Sequence, residues 1–275
     1  MDLNRVNEYI KRFDQVIDKP ILDFDKSEFY VGVDLGTANI VMSVVDKDGN
    51  PVAGEVYQSS VVKDGIVVDF VGAIRIVREM KARLEERLGI EITKGYTAIP
   101  PGVESGSVKA IVNVIDSAEI DVEKVVDEPT AAAQVLKIKN GAVVDVGGGT
   151  TGISVIKDGE VIFTADEPTG GTHMSLVLAG NYGITFSEAE ELKKDSSRER
   201  EIFPIIRPVV EKMAHIVKRF LQDFDVEDVY IVGGACTFTE FEEVFRKELK
   251  KNIIKTYKPL LVTPLGIALT GLEIQ

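Results

Sequence analysis

Two stretches of this chain repeat one pattern, roughly a hundred residues apart. YVGVDLGTANIVMSVVDKDGNPV occupies residues 30–52, and GAVVDVGGGTTGISVIKDGEVI occupies residues 141–162. Each has an apolar strand ending in Asp, a turn rich in Gly and Thr, a second apolar strand and a Lys-Asp-Gly turn typical of a hairpin. A match of this length predicts a duplicated lobe, with each copy opening on a β-meander.

The rest of the chain alternates between helix and strand patterns, which predicts an α/β fold. Strands are expected at TAIPPG, VEKVVD and VYIVGG, and Ser105 has the character of a helix N-cap. Polar KKDSSRERE (193–201) is expected to be a solvated loop or helix end. Helices are expected at residues 72–88, after 105, at 128–136, 172–180, 187–194, 208–222 and from about 239.

Residues 1–27 are expected to form an amphipathic helix followed by a linker. Five apolar residues recur at spacings of three and four until Pro20 ends the pattern: Leu3, Val6, Ile10, Phe13 and Ile17. Two interpretations are open at this point. The helix packs on the body of the protein, or it detaches and inserts into a partner's groove.

Charge and cysteine content narrow the function classes. The chain has 32 Lys and Arg against 45 Asp and Glu, a net charge of −13, which disfavours nucleic acid and anionic membrane as partners. Cys236 is the single cysteine, so no intramolecular disulfide forms. No apolar run approaches the roughly 20 residues of a membrane span. We therefore expect a cytoplasmic protein that binds neither nucleic acid nor membrane.

The two Asp-Gly-Thr turns carry the clearest chemistry. Glycines let backbone N–H groups approach phosphate oxygens, and Thr hydroxyls add further donors. A carboxylate at the strand end, here Asp34 or Asp145, holds a hydrated Mg²⁺ beside that anion. Two such turns facing each other predict a site that grips the β- and γ-phosphates of a nucleotide from opposite sides.

Five motifs in order resemble the family that unites actin, Hsp70 chaperones and sugar kinases, and they cover Tyr30 to Gly271. They are VGVDLGTANI and VVDVGGGTTGISV (the two phosphate loops), DEPTAAA and VTPLGIALTG (the connecting segments) and VYIVGGA (the adenosine loop). The resemblance implies an actin-like ATPase fold, two duplicated ribonuclease H-like lobes with a nucleotide cleft between them. Lobe I would comprise 28–139 plus 264–275, and lobe II 140–263. Lobe closure around ATP or ADP with Mg would be the switch.

The resemblance also implies roles for individual residues. Asp34 and Asp145 would contact the Mg²⁺ shell, through water, and Glu128 would orient the attacking water. The terminal phosphates would meet Gly36, Thr37, Ala38 and Asn39 from one side, and Gly147, Gly148, Gly149, Thr150 and Thr151 from the other. Gly170 and Gly171 would form the hinge before the outer part of lobe II. Glu190 and Lys193 would contact the ribose and base of the nucleotide. The adenine would lie against Gly233, Gly234 and Ala235.

Simpler interpretations of two of these sites stay open. Glu128 can also be interpreted as an acidic residue that the helix dipole favours at a helix N-terminus. Glu190 and Lys193 lie three residues apart, which is the spacing of an ordinary surface ion pair.

Over its length the chain is most similar to the Hsp70-like family of bacterial ethanolamine-utilisation operons. DGIVVDFVGAIRIVR (64–78) and ADEPTGG (165–171) extend the shared motifs. The resemblance implies a weak, chaperone-like ATPase, an assembly or reactivation factor for a protein client. The client would be ethanolamine ammonia-lyase or a component of its bacterial microcompartment.

Two departures from the Hsp70 pattern leave turnover open. No motif identifies the lysine that approaches the γ-phosphate, although Lys63 and Lys81 lie in the expected region. The adenosine loop continues with Cys236 and Thr237, where Hsp70 has Ser-Thr-Arg. The alternatives are therefore an inactive nucleotide-binding scaffold or a filament-forming, actin-like cytoskeletal ATPase.

Overall fold

The structure is a computed structural model that describes residues 2–274. The first half contains helix α1 (Leu3–Asp18), α2 (Phe70–Leu88) and α3 (Ser105–Ser117). Its strands are β1 (Phe29–Leu35), β2 (Asn39–Asp46), β3 (Pro51–Gln58), the short pair β4 (Val62–Lys63) and β5 (Ile66–Val67), β6 (Lys94–Ile99) and β7 (Asp121–Asp127). Helix α4 (Glu128–Leu136) then leads into the second half.

The second half repeats this arrangement. Its strands are β8 (Gly141–Val146), β9 (Thr151–Lys157), β10 (Glu160–Glu167), β11 (Asp228–Val232) and β12 (Asn252–Lys255). Its helices are α5 (Gly171–Tyr182), α6 (Phe186–Lys194), α7 (Glu199–Phe220), α8 (Phe241–Leu249) and α9 (Val262–Leu269). Among the described residues, no helix has the length and apolar character needed to cross a membrane.

The two main sheets have the same strand order. The first sheet runs β3-β2-β1-β6-β7 and the second β10-β9-β8-β11-β12. In each sheet the first three strands in this order are antiparallel to one another. The last two strands run parallel to the middle strand, which is β1 in the first sheet and β8 in the second. Asp34 pairs with Val41 and Asp145 with Gly152, so each Asp stands at the end of its lobe's opening hairpin. The predicted duplication and the α/β fold are confirmed.

Helices α4 and α9 pack together between the sheets. A β-carbon on Gly266 of α9 would lie 1.9 Å from the carbonyl oxygen of Ala131 in α4. Apolar residues from both sheets, Val41 and Val143 among them, join these helices in one buried cluster. This cluster is the region where the two halves of the molecule are held together.

Helix α1 belongs to the same cluster. Ile10 and Phe13 are fully buried in it. Asp2 precedes the helix as its N-cap, and its carboxylate accepts hydrogen bonds from the first turn. Val16 is buried and Ile17 only partly, so the buried face is turned slightly from the one expected. The structure shows the helix packed on the body of the protein. Its detachment to insert into a partner's groove stays a prediction.

Two local predictions were wrong. Ser105 is the first helical residue of α3, and Glu104, before it, occupies the N-cap position without a side-chain cap bond. Helix α7 begins at Glu199 rather than at 208 and runs through Pro204 and Pro208. Burial of apolar side chains along this early part of the helix outweighs the missing proline hydrogen bonds. The stretch 193–201 is, as expected, a solvated helix end: it contains the end of α6, a short turn and the start of α7.

Candidate functional site

A cavity of about 510 Å³ lies between the two halves, a size typical of small-molecule sites. Most of the predicted site residues line it. They are Asp34, Gly36, Thr37, Ala38, Asn39, Glu128, Asp145, Gly147, Gly148, Gly149, Thr150, Gly171, Glu190, Lys193, Gly233, Gly234 and Ala235. Thr151 and Gly170 are not in the lining; both support it from behind.

The two glycine-rich turns meet across this cavity. A β-carbon on Gly148 of the second turn would lie 3.1 Å from the Ala38 β-carbon and 3.2 Å from that of Thr37 in the first turn. Such an approach is open to glycine because it has no side chain. The two turns therefore face each other at close range, as the duplicated motif predicts.

The second turn is supported by the start of α5. Gly171 and Thr172 donate their backbone N–H groups to the carbonyl oxygens of Gly147 and Gly148, at 2.9 and 2.7 Å. A β-carbon on Gly170 would lie 2.7 Å from those same two oxygens. Thr151 is buried and donates its hydroxyl to Thr169, 2.6 Å away. These contacts fix the shape of the turn, with Thr151 and Gly170 lying behind the cavity wall.

The carboxylates of the cavity share one electrostatic environment. Desolvation, and then the Asp145 carboxylate, raises the pKa of Asp34 to about 7. Desolvation raises the pKa of Asp145 to about 6, against a hydrogen bond from Thr263 that lowers it. Glu128 has a pKa well above its ordinary value because of desolvation, Asp145 and Asp34. A cation among these groups would offset the desolvation of the carboxylates, which is the main cause of the raised pKa values, and the repulsion that Asp34 and Glu128 feel.

Glu190 and Lys193 form an ion pair of 2.6 Å on α6, with 19% and 14% of their side chains exposed. Lys193 also donates to the Gly171 carbonyl at 3.0 Å and to the Ser175 hydroxyl at 2.7 Å. Desolvation lowers the pKa of Lys193, although Glu190 opposes the shift. The pair is therefore both an ion pair and part of the cavity wall, and unlike a surface pair it is largely buried.

The loop after β11 forms another wall. Gly233 has φ of 94°, which favours glycine, and a β-carbon there would lie 2.3 Å from the Asp145 carboxylate. Its N–H donates to Pro259 at 3.1 Å. Cys236 is fully buried and its thiol faces the carbonyl oxygens of Val232 and Gly233, so it is a packing residue.

Several lining residues were missed by sequence reasoning. Thr263 donates its hydroxyl to Asp145. Lys194 of α6 donates to Gln58, at the end of β3, over 3.3 Å, and so links the two halves at the cavity. Leu260 lies against Gly234. Thr263 lies within the motif VTPLGIALTG, but nothing in that motif shows contact with Asp145. Lys194 and Leu260 lie outside the five motifs, and the tertiary fold alone brings them to the site.

The expected lysine of lobe I is not found in the cavity wall. Lys81 is buried in α2 and donates to the Glu119 carbonyl at 3.2 Å, while Lys63 lies on β4 outside the lining. Over residues 2–274, no group of three or more His, Cys, Asp or Glu is arranged to hold a metal directly.

The paired sheets and the cleft between them define the actin-like ATPase fold. The structure of MreB5 of Spiroplasma citri bound to ADP superposes with a TM-score of 0.72 at 16% identity, covering 91% of this chain and 98% of that one, a likeness of fold alone. The family model described as type IV pilus assembly protein PilM matches residues 103–259.

The chain belongs to the EutJ family of ethanolamine utilisation proteins. It is 44% identical over 251 residues to EutJ of Escherichia coli K12, covering 90% of this chain and 88% of that protein. The crystal structure of EutJ from Carboxydothermus hydrogenoformans superposes with a TM-score of 0.90 at 50% identity, covering 98% and 99%. The resemblance inferred from the motifs is confirmed at the level of the family.

Proposed function

We propose that this protein binds Mg-ATP between its two glycine-rich turns and closes its halves around it. The observation that carries the proposal is the direct approach of Gly148 to Thr37 and Ala38, with Asp34 and Asp145 beside the same cavity. Backbone N–H groups of both turns would bind phosphate oxygens. Asp34 and Asp145 would hold the waters of a Mg²⁺ ion, which prefers one or two carboxylates together with phosphate and water.

Slow hydrolysis fits the same arrangement. Glu128 opens helix α4 and lines the cavity close to both aspartates, where a carboxylate would orient the attacking water. The lysines that line the cavity are Lys193 and Lys194, both on α6. Because both are already paired with glutamates of the same helix, charge neutralisation in the transition state would be weak. The same observation favours the alternative of a scaffold that binds nucleotide without turnover.

The physiological role we propose is that of an Hsp70-like assembly or reactivation factor in ethanolamine utilisation. Support comes from the relatives' names and from a cleft whose walls belong to two sheets, so that ligand binding would change their relative position. The client would be a cytoplasmic protein, with ethanolamine ammonia-lyase or a microcompartment component as the first candidates.

Thermal denaturation with and without Mg-ATP tests the proposal. Wild-type protein should gain stability from Mg-ATP, since a ligand bound to the native state stabilises it. Asp145→Asn should lose that gain, whereas Glu160→Gln, at an exposed position on β10, should keep it. An equal gain in wild type and Asp145→Asn would contradict the proposal.

Phosphate release and affinity capture separate the finer claims. Tight Mg-ATP binding with no phosphate release would identify the scaffold. Filaments that sediment in ATP and not in ADP would identify the cytoskeletal alternative. Capture from cells grown on ethanolamine, with and without Mg-ATP, tests the client; recovery of the same proteins in both conditions would contradict a nucleotide-switched role.

A further inference from the structure

Helix α1 contacts both halves of the molecule. On one side Phe13 packs on β3 of the first sheet, where a β-carbon on Gly54 would lie 2.6 Å from the Phe13 ring. Arg87 of α2 donates a hydrogen bond to the carbonyl oxygen of Ile17 at 2.6 Å. On another side the helix contacts residues 257–258, which follow β12 of the second sheet. The helix therefore connects the first sheet to a segment of the second half.

Two polar side chains of α1 bind that segment. Oδ1 of Asn7 accepts a hydrogen bond from the backbone N–H of Tyr257 at 2.8 Å. The Asp14 carboxylate accepts one from the Tyr257 hydroxyl at 2.8 Å and one from Nζ of Lys258 at 2.6 Å. The Asp14 side chain is 23% exposed, so its bonds are partly shielded from water. Such charge-assisted bonds are stronger than neutral ones and stronger than those of a fully solvated ion pair.

The backbone at Lys258 needs this support. Its φ of 34° and ψ of 71° lie in the left-handed region, which is unfavourable for a residue with a side chain. Such a conformation persists where the surrounding contacts hold it in place. One contact is the ion pair with Asp14, and another is the N–H of Leu261, which donates to the Lys258 carbonyl oxygen at 2.9 Å. Helix α1 thus holds the residue at which the chain enters the short turn Pro259–Leu261.

The turn Pro259–Leu261 supports the loop after β11 at the cavity wall. Gly233 donates its N–H to the carbonyl oxygen of Pro259 at 3.1 Å. A β-carbon on Gly234 would lie 3.1 Å from Cδ1 of Leu260. Gly233, Gly234 and Leu260 all line the cavity. Contacts therefore lead without a break from α1 to the wall where the motif VYIVGGA predicts the adenine.

We propose that Asn7 and Asp14 are positioning residues for the nucleoside part of the ligand. They would hold Pro259–Leu261 against the loop after β11 and so keep this wall in the shape that accepts base and ribose. The polyphosphate would be held by the two glycine-rich turns and would depend little on α1. The inference rests on the proposed Mg-ATP site and extends that site to a helix that lies outside the five motifs.

The test uses two variants that weaken the link in different ways. Asp14→Ala removes both bonds of the carboxylate, whereas Tyr257→Phe keeps the ring and removes one hydroxyl. Glu8→Gln, whose partner is on the same helix, is the control for a lost charge on α1. Tyr182→Phe is the control for a lost hydroxyl, because the Tyr182 hydroxyl donates to Glu201 in an exposed contact.

Isothermal titration calorimetry compares Mg-ATP with Mg-tripolyphosphate, which has the phosphates and no nucleoside. We expect the Kd for Mg-ATP to rise about tenfold in Asp14→Ala and about threefold in Tyr257→Phe, as when a charge-assisted hydrogen bond is lost. The Kd for Mg-tripolyphosphate should stay within about twofold in both. The double variant should bind Mg-ATP no more weakly than Asp14→Ala, because the hydroxyl has already lost its partner.

Hydrogen exchange of the nucleotide-free protein gives a measurement that does not depend on any ligand. In Asp14→Ala the amides of residues 257–261 and 233–236 should exchange about tenfold faster than in wild type, because local opening becomes easier. The two controls should exchange like wild type in both segments.

Each contrary result has a distinct meaning. An unchanged Kd for Mg-ATP in both variants, or unchanged exchange of residues 257–261 in Asp14→Ala, overturns the inference and leaves the Mg-ATP site standing. Equal weakening of Mg-ATP and Mg-tripolyphosphate also overturns it, since α1 would then stabilise the whole protein rather than one wall. Wild type that binds Mg-ATP but not Mg-tripolyphosphate overturns it too, because the turns would not hold the phosphates independently of the nucleoside. Absence of Mg-ATP binding in wild type contradicts the proposed function and the inference together.

Discussion

Asp34 and Asp145 occupy corresponding positions in two different sheets, yet they share one cavity and interact electrostatically. Desolvation and the Asp145 carboxylate raise the pKa of Asp34 to about 7, whereas an ordinary Asp has a pKa near 3.8. The pair is thus unfavourable in the absence of a cation. Such an arrangement is typical of a functional site, where stability is reduced in exchange for ligand binding.

The nucleotide-free protein should therefore become less stable as the pH rises. The pKa of Asp34 is higher in the folded state than in the unfolded state. The favourable contribution of this residue to the free energy of unfolding is therefore complete below pH 4 and is lost as the pH rises to about 7. The substitution Asp34→Asn removes this pH-dependent loss of stability, because an Asn side chain does not ionise. We expect its melting temperature to exceed that of wild type by about 5 °C at pH 8 and to differ little at pH 4. An equal difference at both pH values would contradict the assignment.

Gly148 should control how closely the two turns approach. Gly148→Ala places a methyl group 3.1–3.2 Å from Thr37 and Ala38 and so pushes the turns apart. We expect the affinity for Mg-ATP to fall by about tenfold or more, because the phosphate donors no longer converge. Isothermal titration calorimetry measures the loss, with Gly180→Ala as the control. Unchanged affinity in Gly148→Ala would show that the turns do not grip the ligand together.

The crossing of α4 and α9 should tolerate no side chain at Gly266. An added β-carbon would lie 1.9 Å from the backbone of Ala131, so the helices must separate. We expect Gly266→Ala to lower the melting temperature by about 5 °C or more, which corresponds to ordinary overpacking. Gly106→Ala, where the added carbon meets nothing within 4 Å, should change it little. Equal melting temperatures for the two variants would contradict this packing.

Helix α1 should stabilise the segment that leads into the cleft. Asp14 accepts hydrogen bonds from the Tyr257 hydroxyl at 2.8 Å and from Lys258 at 2.6 Å, just before Pro259–Leu261. We expect Asp14→Asn to lower the melting temperature by about 3 °C, since a partly buried charged contact is weakened. Glu8→Gln, whose partner Lys11 is on the same helix, is the control. Equal effects of the two substitutions would argue against a link between α1 and this segment.

Much of this fold was predictable because the sequence contains the same pattern twice, at residues 30–52 and 141–162. The strand, turn and strand pattern is local, and a duplicated pattern implies that Asp34 and Asp145 occupy equivalent places. The beginning of α7 was not predictable from local signals. Pro204, Pro208 and the polar stretch before them favour a break, and only burial of Ile202, Phe203 and Ile206 against the second sheet overrides it.

Site residues that lie in a recognisable local motif were predictable from the sequence. Site residues that only the packing of distant segments brings to the cleft were not. Glycines and acids of the two turns lie in recognisable local patterns. Lys194 comes to the cleft through an inter-lobe contact with Gln58, and no local pattern marks it.

A crystal structure with a non-hydrolysable ATP analogue and Mn²⁺ in place of Mg²⁺ tests the central claim most directly, because Mn²⁺ is located by its anomalous scattering. We expect one metal ion between the two turns, with its waters hydrogen-bonded to Asp34 and Asp145 and its other ligands from the phosphates. A nucleotide bound elsewhere, or phosphates that contact one turn alone with no metal between the aspartates, would contradict it.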